Sequence, residues 1–324
     1  MAPVVYFHAA AGIGSNAAPV LALQASPNEK RGADARPLAL REIGKAIGIA
    51  MPRLVSRFVE LAVIGASQCA RRLEVPLAQN TPVYLASGLG DVARTDALYF
   101  QVMPPNSETA SPAKFATSGN NLAAFFVAQQ LHLVSRNFTI SQLDLSLENA
   151  LAIALDDLAA GVAKSALVGG VDETTVPRRF YRRRYPLSAN KRIGEGSAWL
   201  ALGTEARGAI GELIGVTILA AQGANEPGDW ADRAARAMQL LIDPQYTATL
   251  LPGGRISQAQ AAALLERSPV LRWHDYRDFS GCLPTAAALA IVSTFIDQPP
   301  MASTYLHVNC DAAGRTGIIA WRAY

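Results

Sequence analysis

The sequence has few of the residues that mark disulfide-bonded and metal-binding proteins. Only three of its 324 residues are cysteine (Cys69, Cys282 and Cys310), and they form no CxxC pair. An odd number of cysteines at no metal-like spacing argues against a disulfide framework and against a zinc site. We therefore expect a reduced, cytoplasmic protein that holds no metal.

The sequence also lacks the segments that would direct it into or across a membrane. No apolar run is long enough to span a bilayer, and the first residues have no basic region followed by an apolar core. We expect neither a membrane span nor a signal peptide. The glycines at positions 12, 14, 88 and 90 fit neither GxGxxG nor a P-loop, so we read them as turns at sheet ends and expect no cofactor.

Excess charge of either sign is small. The formal net charge is +3, which neither demands nucleic acid nor excludes an acidic partner, and we expect no nucleic acid. Half of the residues are hydrophobic and 17% are charged, as in a globular protein with a substantial core.

The most informative segment is a predicted strand–turn–helix–strand unit over residues 137–171. Residues 137–141 (NFTIS) indicate a strand, and a sharp turn follows at Gln142–Asp144. Apolar residues then recur on one helix face up to Leu158, with Gly161 as a helix stop. Residues 165–171 (SALVGGV) indicate a strand buried on both faces of the sheet.

The rest of the chain predicts alternating strands and helices. Residues 3–7, 82–87, 196–202, 210–220, 303–310 and 317–321 indicate strands, and residues 54–73, 118–134, 230–242, 256–266 and 282–296 indicate helices. A glycine-rich turn is expected after the first strand. The recurring order predicts two similar halves, residues 1–203 and 204–324, within one compact unit.

Several of these motifs, in this order, resemble the β-ketoacyl synthase family. Residues 137–144 lead without a gap to residues 166–171 (ALVGGV), as in the family's nucleophile turn, helix and strand. Residues 193–202 (IGEGSAWLAL), 281–290 (GCLPTAAALA) and 307–317 (HVNCDAAGRTG) resemble three further family motifs. The resemblance implies an α/β, thiolase-like layered αβαβα fold with two pseudo-repeats.

The sequence departs from the family at the catalytic residues. The family uses a cysteine thiolate at a helix N-terminus, where the helix dipole and backbone N–H groups favour the thiolate and an oxyanion, together with two histidines. The positions that match this triad are Asp144, Pro252 and Gly281. The resemblance therefore implies no catalytic residue at these places.

Other residues at or near these positions have structural interpretations. Asp144 is expected mainly to cap the following helix, with a general base as the alternative. Cys282 and Cys310 are expected to be small buried hydrophobic residues, and His274 a surface histidine. Relocated chemistry at Asp144 or Cys282, as in an acyltransferase or a decarboxylase, stays open.

A dense basic run precedes the second half of the chain. Five arginines alternate with aromatic residues: Arg178, Arg179, Arg182, Arg183 and Arg184. This run suits docking of an acidic acyl carrier protein, and a solvated loop is an equally good interpretation.

The resemblance also implies a partner. In the family, the strand before the nucleophile turn lies at the dimer interface, which here implicates Asn137, Phe138, Thr139 and Ile140. The chain then resembles a chain-length factor, a non-catalytic subunit that pairs with an active ketosynthase in polyketide or fatty-acid-like biosynthesis, as in aryl polyene systems. A stand-alone homodimer that binds an acyl chain or carrier protein is the alternative.

Overall fold

The structure is a computed structural model of the chain. It describes residues 3–14, 38–51, 55–104, 109, 111–174, 193–221, 229–243, 247–268, 271–296 and 302–324. Its strands are Val5–Gly14 (β1), Val83–Ala86 (β2), Asn137–Ile140 (β3), Ser165–Asp172 (β4), Gly196–Gly203 (β5), Gly211–Leu219 (β6), Ala248–Pro252 (β7), Leu271–Trp273 (β8), Ser303–Cys310 (β9) and Thr316–Ala323 (β10).

These strands form one sheet that is built from two equivalent halves. The order is β3-β2-β4-β5-β1-β6-β10-β9-β7-β8. In the first half β1 pairs antiparallel with β5, β5 antiparallel with β4, and β4 and β3 parallel with β2. The second half repeats this pattern from β6 through β10, β9 and β7 to β8. The halves join where β1 pairs antiparallel with β6.

The helices among the described residues cover both halves of the sheet. They are Leu40–Ala46 (α1), Arg57–Ala70 (α2), Val92–Val102 (α3), Pro112–Ala116 (α4), Leu122–Gln130 (α5), Ser146–Ala159 (α6), Trp230–Leu241 (α7), Gln258–Arg267 (α8), Arg277–Ser280 (α9) and Ala286–Ile296 (α10). Among them, none combines the length and the apolar character needed to cross a membrane.

Three clusters of buried apolar side chains define the layers. One cluster joins α2 and α5 to the outer face of the first half-sheet, and another joins α7 and α8 to the second. The central cluster contains residues of α6 and α10 together with strands of both halves. This α-β-α-β-α succession confirms the layered fold. The domain boundary at residue 203 stays a prediction.

The central unit has the predicted form. Leu147, Leu151 and Leu158 are buried on α6, and Gly161 follows that helix with φ of 69°. The prediction of a glycine-rich turn over residues 9–17 was wrong for residues 9–14, because β1 continues through them to Gly14. Residues 15–17 lie outside the described residues. Residues 9–14 are buried between α2 and α10, and their backbone pairs with β5 in place of forming a turn.

Candidate functional site

A tight turn joins β3 to α6 at the place where the sequence resemblance predicts the nucleophile position. Leu143–Leu145 form one turn of 3₁₀-helix, and Leu143 has φ of 53°, which is unusual for a residue with a branched side chain. Asp144 is 1% exposed. The expectation that Asp144 is the helix cap was wrong, because Leu145 is the N-cap residue of α6 and Asp144 lies within the preceding 3₁₀ turn.

Two side chains hold this turn from outside it. The Ser146 hydroxyl accepts a hydrogen bond from the Gln142 N–H (2.8 Å) and lies within hydrogen-bond distance of the carbonyls of Ser87 and Leu143. The Asn309 side-chain amide on β9 donates to the carbonyl of Asp144 at 2.7 Å. Because these contacts come from separate elements, they fix a backbone conformation that the local sequence alone disfavours.

The segment that is predicted to match the first family histidine lies beside this turn. Pro252 ends β7 and pairs with Val308, next to the Asn309 that holds Asp144. Gly281 has φ of 71°, and a Cβ there would lie 2.8 Å from the backbone of Gly194. A side chain at position 281 would therefore require the backbone to move. Neither position carries an imidazole, so the three positions that the resemblance predicts to match the family triad hold a buried carboxyl group, a proline and a glycine.

Asp172, which the sequence analysis did not single out, joins three segments beneath the turn. One carboxylate oxygen accepts from the Ser87 hydroxyl (3.0 Å) and the N–H groups of Gly88 (2.9 Å) and Leu89 (3.3 Å). The other oxygen accepts from the N–H (3.0 Å) and hydroxyl (2.7 Å) of Thr285. Burial raises the pKa of Asp172 to about 6, while the bonds from Thr285 and Ser87 act in the opposite direction.

A second polar cluster, which the sequence analysis also missed, lies under the turn. Glu148 on α6, His307 on β9 and Tyr276 before α9 are each 0% exposed. Glu148 Oε1 lies 3.6 Å from Nδ1 of His307, and Tyr276 Oη lies 3.0 Å from Nε2 of His307. The sequence could have indicated that Glu148 is buried, since it follows Leu147 on the apolar side of a predicted helix. His307 and Tyr276 are distant from Glu148 in the sequence, so no local sequence pattern predicts their contact with it.

The strand predicted to form the partner interface lies at one end of the sheet. Among the described residues β3 pairs only with β2, so its other edge has no strand beside it. Phe138 is 38% exposed, and its ring stacks on Tyr84 at 5.6 Å with the Arg136 guanidinium over it. Asn137 is exposed, while Thr139 and Ile140 are half-buried.

The remaining candidate residues lie on the surface, in the core, or outside the residues that the structure describes. His274 is exposed directly after β8, and Cys282 and Cys310 are buried, as predicted. The arginine run at 178–184 lies outside the described residues. Among the described residues, no group of three or more His, Cys, Asp or Glu side chains could hold a metal ion.

The similarity of the chain to other proteins is found in the comparison with solved structures. No protein-family model and no curated protein matches its sequence. A β-ketoacyl synthase from Burkholderia phymatum superposes with a TM-score of 0.77 at 17% identity, covering 99% of this chain and 100% of that chain. The ishigamide ketosynthase/chain length factor gives 0.73 at 16% identity, covering 99% of both chains.

A third similar structure is a complex. It contains a type II polyketide synthase acyl-carrier protein and its ketosynthase bound to the hexaketide, and it gives a TM-score of 0.73 at 14% identity with full coverage of both chains. At these identities the likeness defines the fold and not the activity. The layered sheet, its duplicated strand order and these superpositions together show that the chain has the thiolase-like fold of the β-ketoacyl synthases.

Proposed function

We propose that this chain is a non-catalytic, chain-length-factor-like subunit that pairs with an active β-ketoacyl synthase and shapes the tunnel for its acyl chain. The observation that carries the proposal is the buried Asp144 in the turn where the fold carries a nucleophile. A carboxylate is a poor acyl acceptor, and its charge would repel an approaching enolate. Pro252 and Gly281 supply no imidazole to compensate.

The free edge of β3 supports the choice of a protein partner. Unpaired strand edges invite pairing with another chain unless something covers them. The segments between β2 and β3 also expose large apolar side chains: Tyr99, Phe100, Val102, Met103, Phe115 and Phe125. No residue of α3 or α4 is buried. A surface of this kind is typical of a protein interface, and we propose that it binds a ketosynthase or, in its absence, a second copy of this chain.

Relocated chemistry has weaker support. Asp144 and Cys282 are both almost completely buried, so an acyl thioester could reach neither without a rearrangement. Labelling with cerulenin followed by mass spectrometry tests this alternative, and a specific adduct at Cys282 would support it. Docking of a carrier protein at the arginine run, the aryl polyene setting and the cytoplasmic location remain predictions from the sequence.

A condensation assay with acyl- and malonyl-carrier proteins tests the proposal. The isolated chain is expected to give no β-ketoacyl product, while its complex with a cognate ketosynthase gives product with a chain length that depends on this chain. Replacing the ketosynthase cysteine should abolish product, and Asp144→Asn in this chain should leave product formation in place. Robust turnover by the isolated chain would refute the proposal.

A further inference from the structure

The cluster of Glu148, His307 and Tyr276 is unusual because it buries a carboxyl group beside an imidazole without a cation to pair with it. The two Glu148 carboxyl oxygens and Nδ1 of His307 form no hydrogen bond with any described residue. Leaving such groups unsatisfied is costly in a protein interior, and an ionised carboxyl group is the most costly of them.

The groups that face Glu148 do not supply a positive charge. Asp144 lies four residues earlier, at the start of the same helical segment, and is acidic. From β9 come His307 and Asn309, Tyr276 comes from the segment before α9, and β10 contributes Gly317. Arg277 is engaged elsewhere, since its guanidinium donates to both oxygens of Asp275 (2.7 and 2.8 Å) and to the carbonyls of Gly253 and Ile256.

We propose that Glu148 is protonated in the folded protein with its carboxyl group directed at Nδ1 of His307, 3.6 Å away, and that this neutral chain from Glu148 to Tyr276 is a pH-sensitive lock on the Leu143–Leu145 turn. With Nδ1 as the acceptor, the proton of neutral His307 is on Nε2 and is donated to the Tyr276 oxygen, 3.0 Å away. The carboxyl proton is the one component that the solution pH can remove.

The pKa values of Glu148 and His307 agree with a protonated carboxyl group beside a neutral imidazole. Burial, with the charge of Asp144 adding to it, raises the pKa of Glu148 to about 8. Burial and the charge of Arg277 lower the pKa of His307 to about 3, which keeps the ring neutral. When Glu148 loses its proton, the new charge lies on the same helical segment as Asp144, and the two repel one another.

The turn is the element that this repulsion acts on. Leu143 is held at φ of 53° by surrounding contacts, so the turn relaxes when α6 and β9 separate. A close fit leaves Glu148 no alternative position, because a Cβ on Gly317 would already lie 2.7 Å from its Cγ. The lock does not depend on the proposed function, since all of its components lie within this chain.

The first test uses isotope-edited infrared spectroscopy of the wild-type protein between pH 5 and pH 9. A protonated carboxyl band that persists at neutral pH, vanishes with a midpoint near 8 and is missing from Glu148→Gln is expected. Glu173→Gln is the matched control, because burial and the charge of Asp91 raise the pKa of Glu173 to about 8 as well. That variant must keep the Glu148 band. Asp144→Asn should move the midpoint to lower pH.

The second test measures unfolding. Because Glu148 has a raised pKa in the folded state, its contribution to stability is complete below its unfolded pKa and is lost as pH rises through about 8. Between the pKa of Glu148 in the unfolded chain and about pH 8, the unfolding constant of the wild type, relative to that of Glu148→Gln, should rise about tenfold per pH unit. Above about pH 8 this ratio should level off.

Protection of the amides of residues 142–148, measured as their exchange relative to the intrinsic rate at each pH, should fall over the same pH range in the wild type and not in Glu148→Gln. A Glu148 that is ionised throughout, or exchange in the turn with the same pH dependence in both proteins, would overturn the proposal. If Glu148→Gln does not fold, the wild-type infrared titration and the Asp144→Asn shift decide the question.

Discussion

Individual polar residues hold the centre of this molecule together, and Asp172 is the clearest case. Its two oxygens accept five hydrogen bonds, from Ser87, Gly88, Leu89 and Thr285, so one carboxyl group ties β4 to the ends of two other elements. Hydrogen bonds to a charged acceptor are stronger than those between neutral groups. They offset part of the cost of burying the carboxylate.

Asp172→Asn should lower the free energy of unfolding by about 3 kcal/mol, because either orientation of the amide turns an NH₂ group towards N–H and O–H donors. Chemical denaturation at pH 7 measures the change. Asp156→Asn is the control, since Asp156 is exposed on α6, and it should change stability by less than about 0.5 kcal/mol. Equal or greater stability of Asp172→Asn would mean that the burial cost exceeds the hydrogen bonding.

Gly317 gives a second prediction at the scale of one residue. A methyl group there would lie 2.7 Å from Glu148 Cγ and 3.0 Å from Leu145 Cδ2, so Gly317→Ala should cost about 1–3 kcal/mol through overpacking. Gly44→Ala is the matched control, because its nearest neighbours would be 3.7 Å away, within a helix. It should leave stability unchanged or raise it by up to about 1 kcal/mol.

Secondary-structure elements were predictable where side chains repeat in a regular pattern. The face of α6 and the buried β4 follow directly from the order of apolar residues. Helices α3 and α4 were missed, because they bury no residue and so have no apolar face towards the core. The roles of Asp172, Glu148 and His307 were missed because each depends on contacts between segments far apart in the chain.

At the scale of elements, strand β3 carries the prediction about association. The chain alone should form a homodimer, and an added ketosynthase should replace one copy. Phe138→Asp should prevent both, because it puts a charge on the open strand edge. Size-exclusion chromatography with light scattering measures the result.

Leu240→Asp is the control for Phe138→Asp, since Leu240 is 89% exposed on α7 in the other half of the molecule. It should leave the dimer intact. Circular dichroism checks that Phe138→Asp still folds, because Phe138 also packs on Tyr84. A wild-type protein that is monomeric alone and does not bind added ketosynthase would contradict the prediction.

The whole molecule should unfold as one unit despite its two equivalent halves. Helix α6 contacts β2 and β4 of one half and β6 and β10 of the other, so the central core belongs to both. Trp199 on β5 and Trp321 on β10 are fully buried reporters, one in each half. Variants that keep only one of the four tryptophans, either Trp199 or Trp321, should show coincident denaturation midpoints. Separate midpoints would indicate two independent domains.

The central place of β1 has a consequence for the synthesis of the protein. β1 is the first strand of the sheet in chain order, yet both of its neighbours, β5 and β6, begin only at Gly196 and Gly211. The nascent chain therefore carries an unpaired apolar strand on the ribosome until more than half of the sequence has emerged. Contacts of such long range slow folding, and exposed apolar strands favour aggregation. Chaperones that bind nascent chains should therefore determine the yield of this protein more than its final stability does.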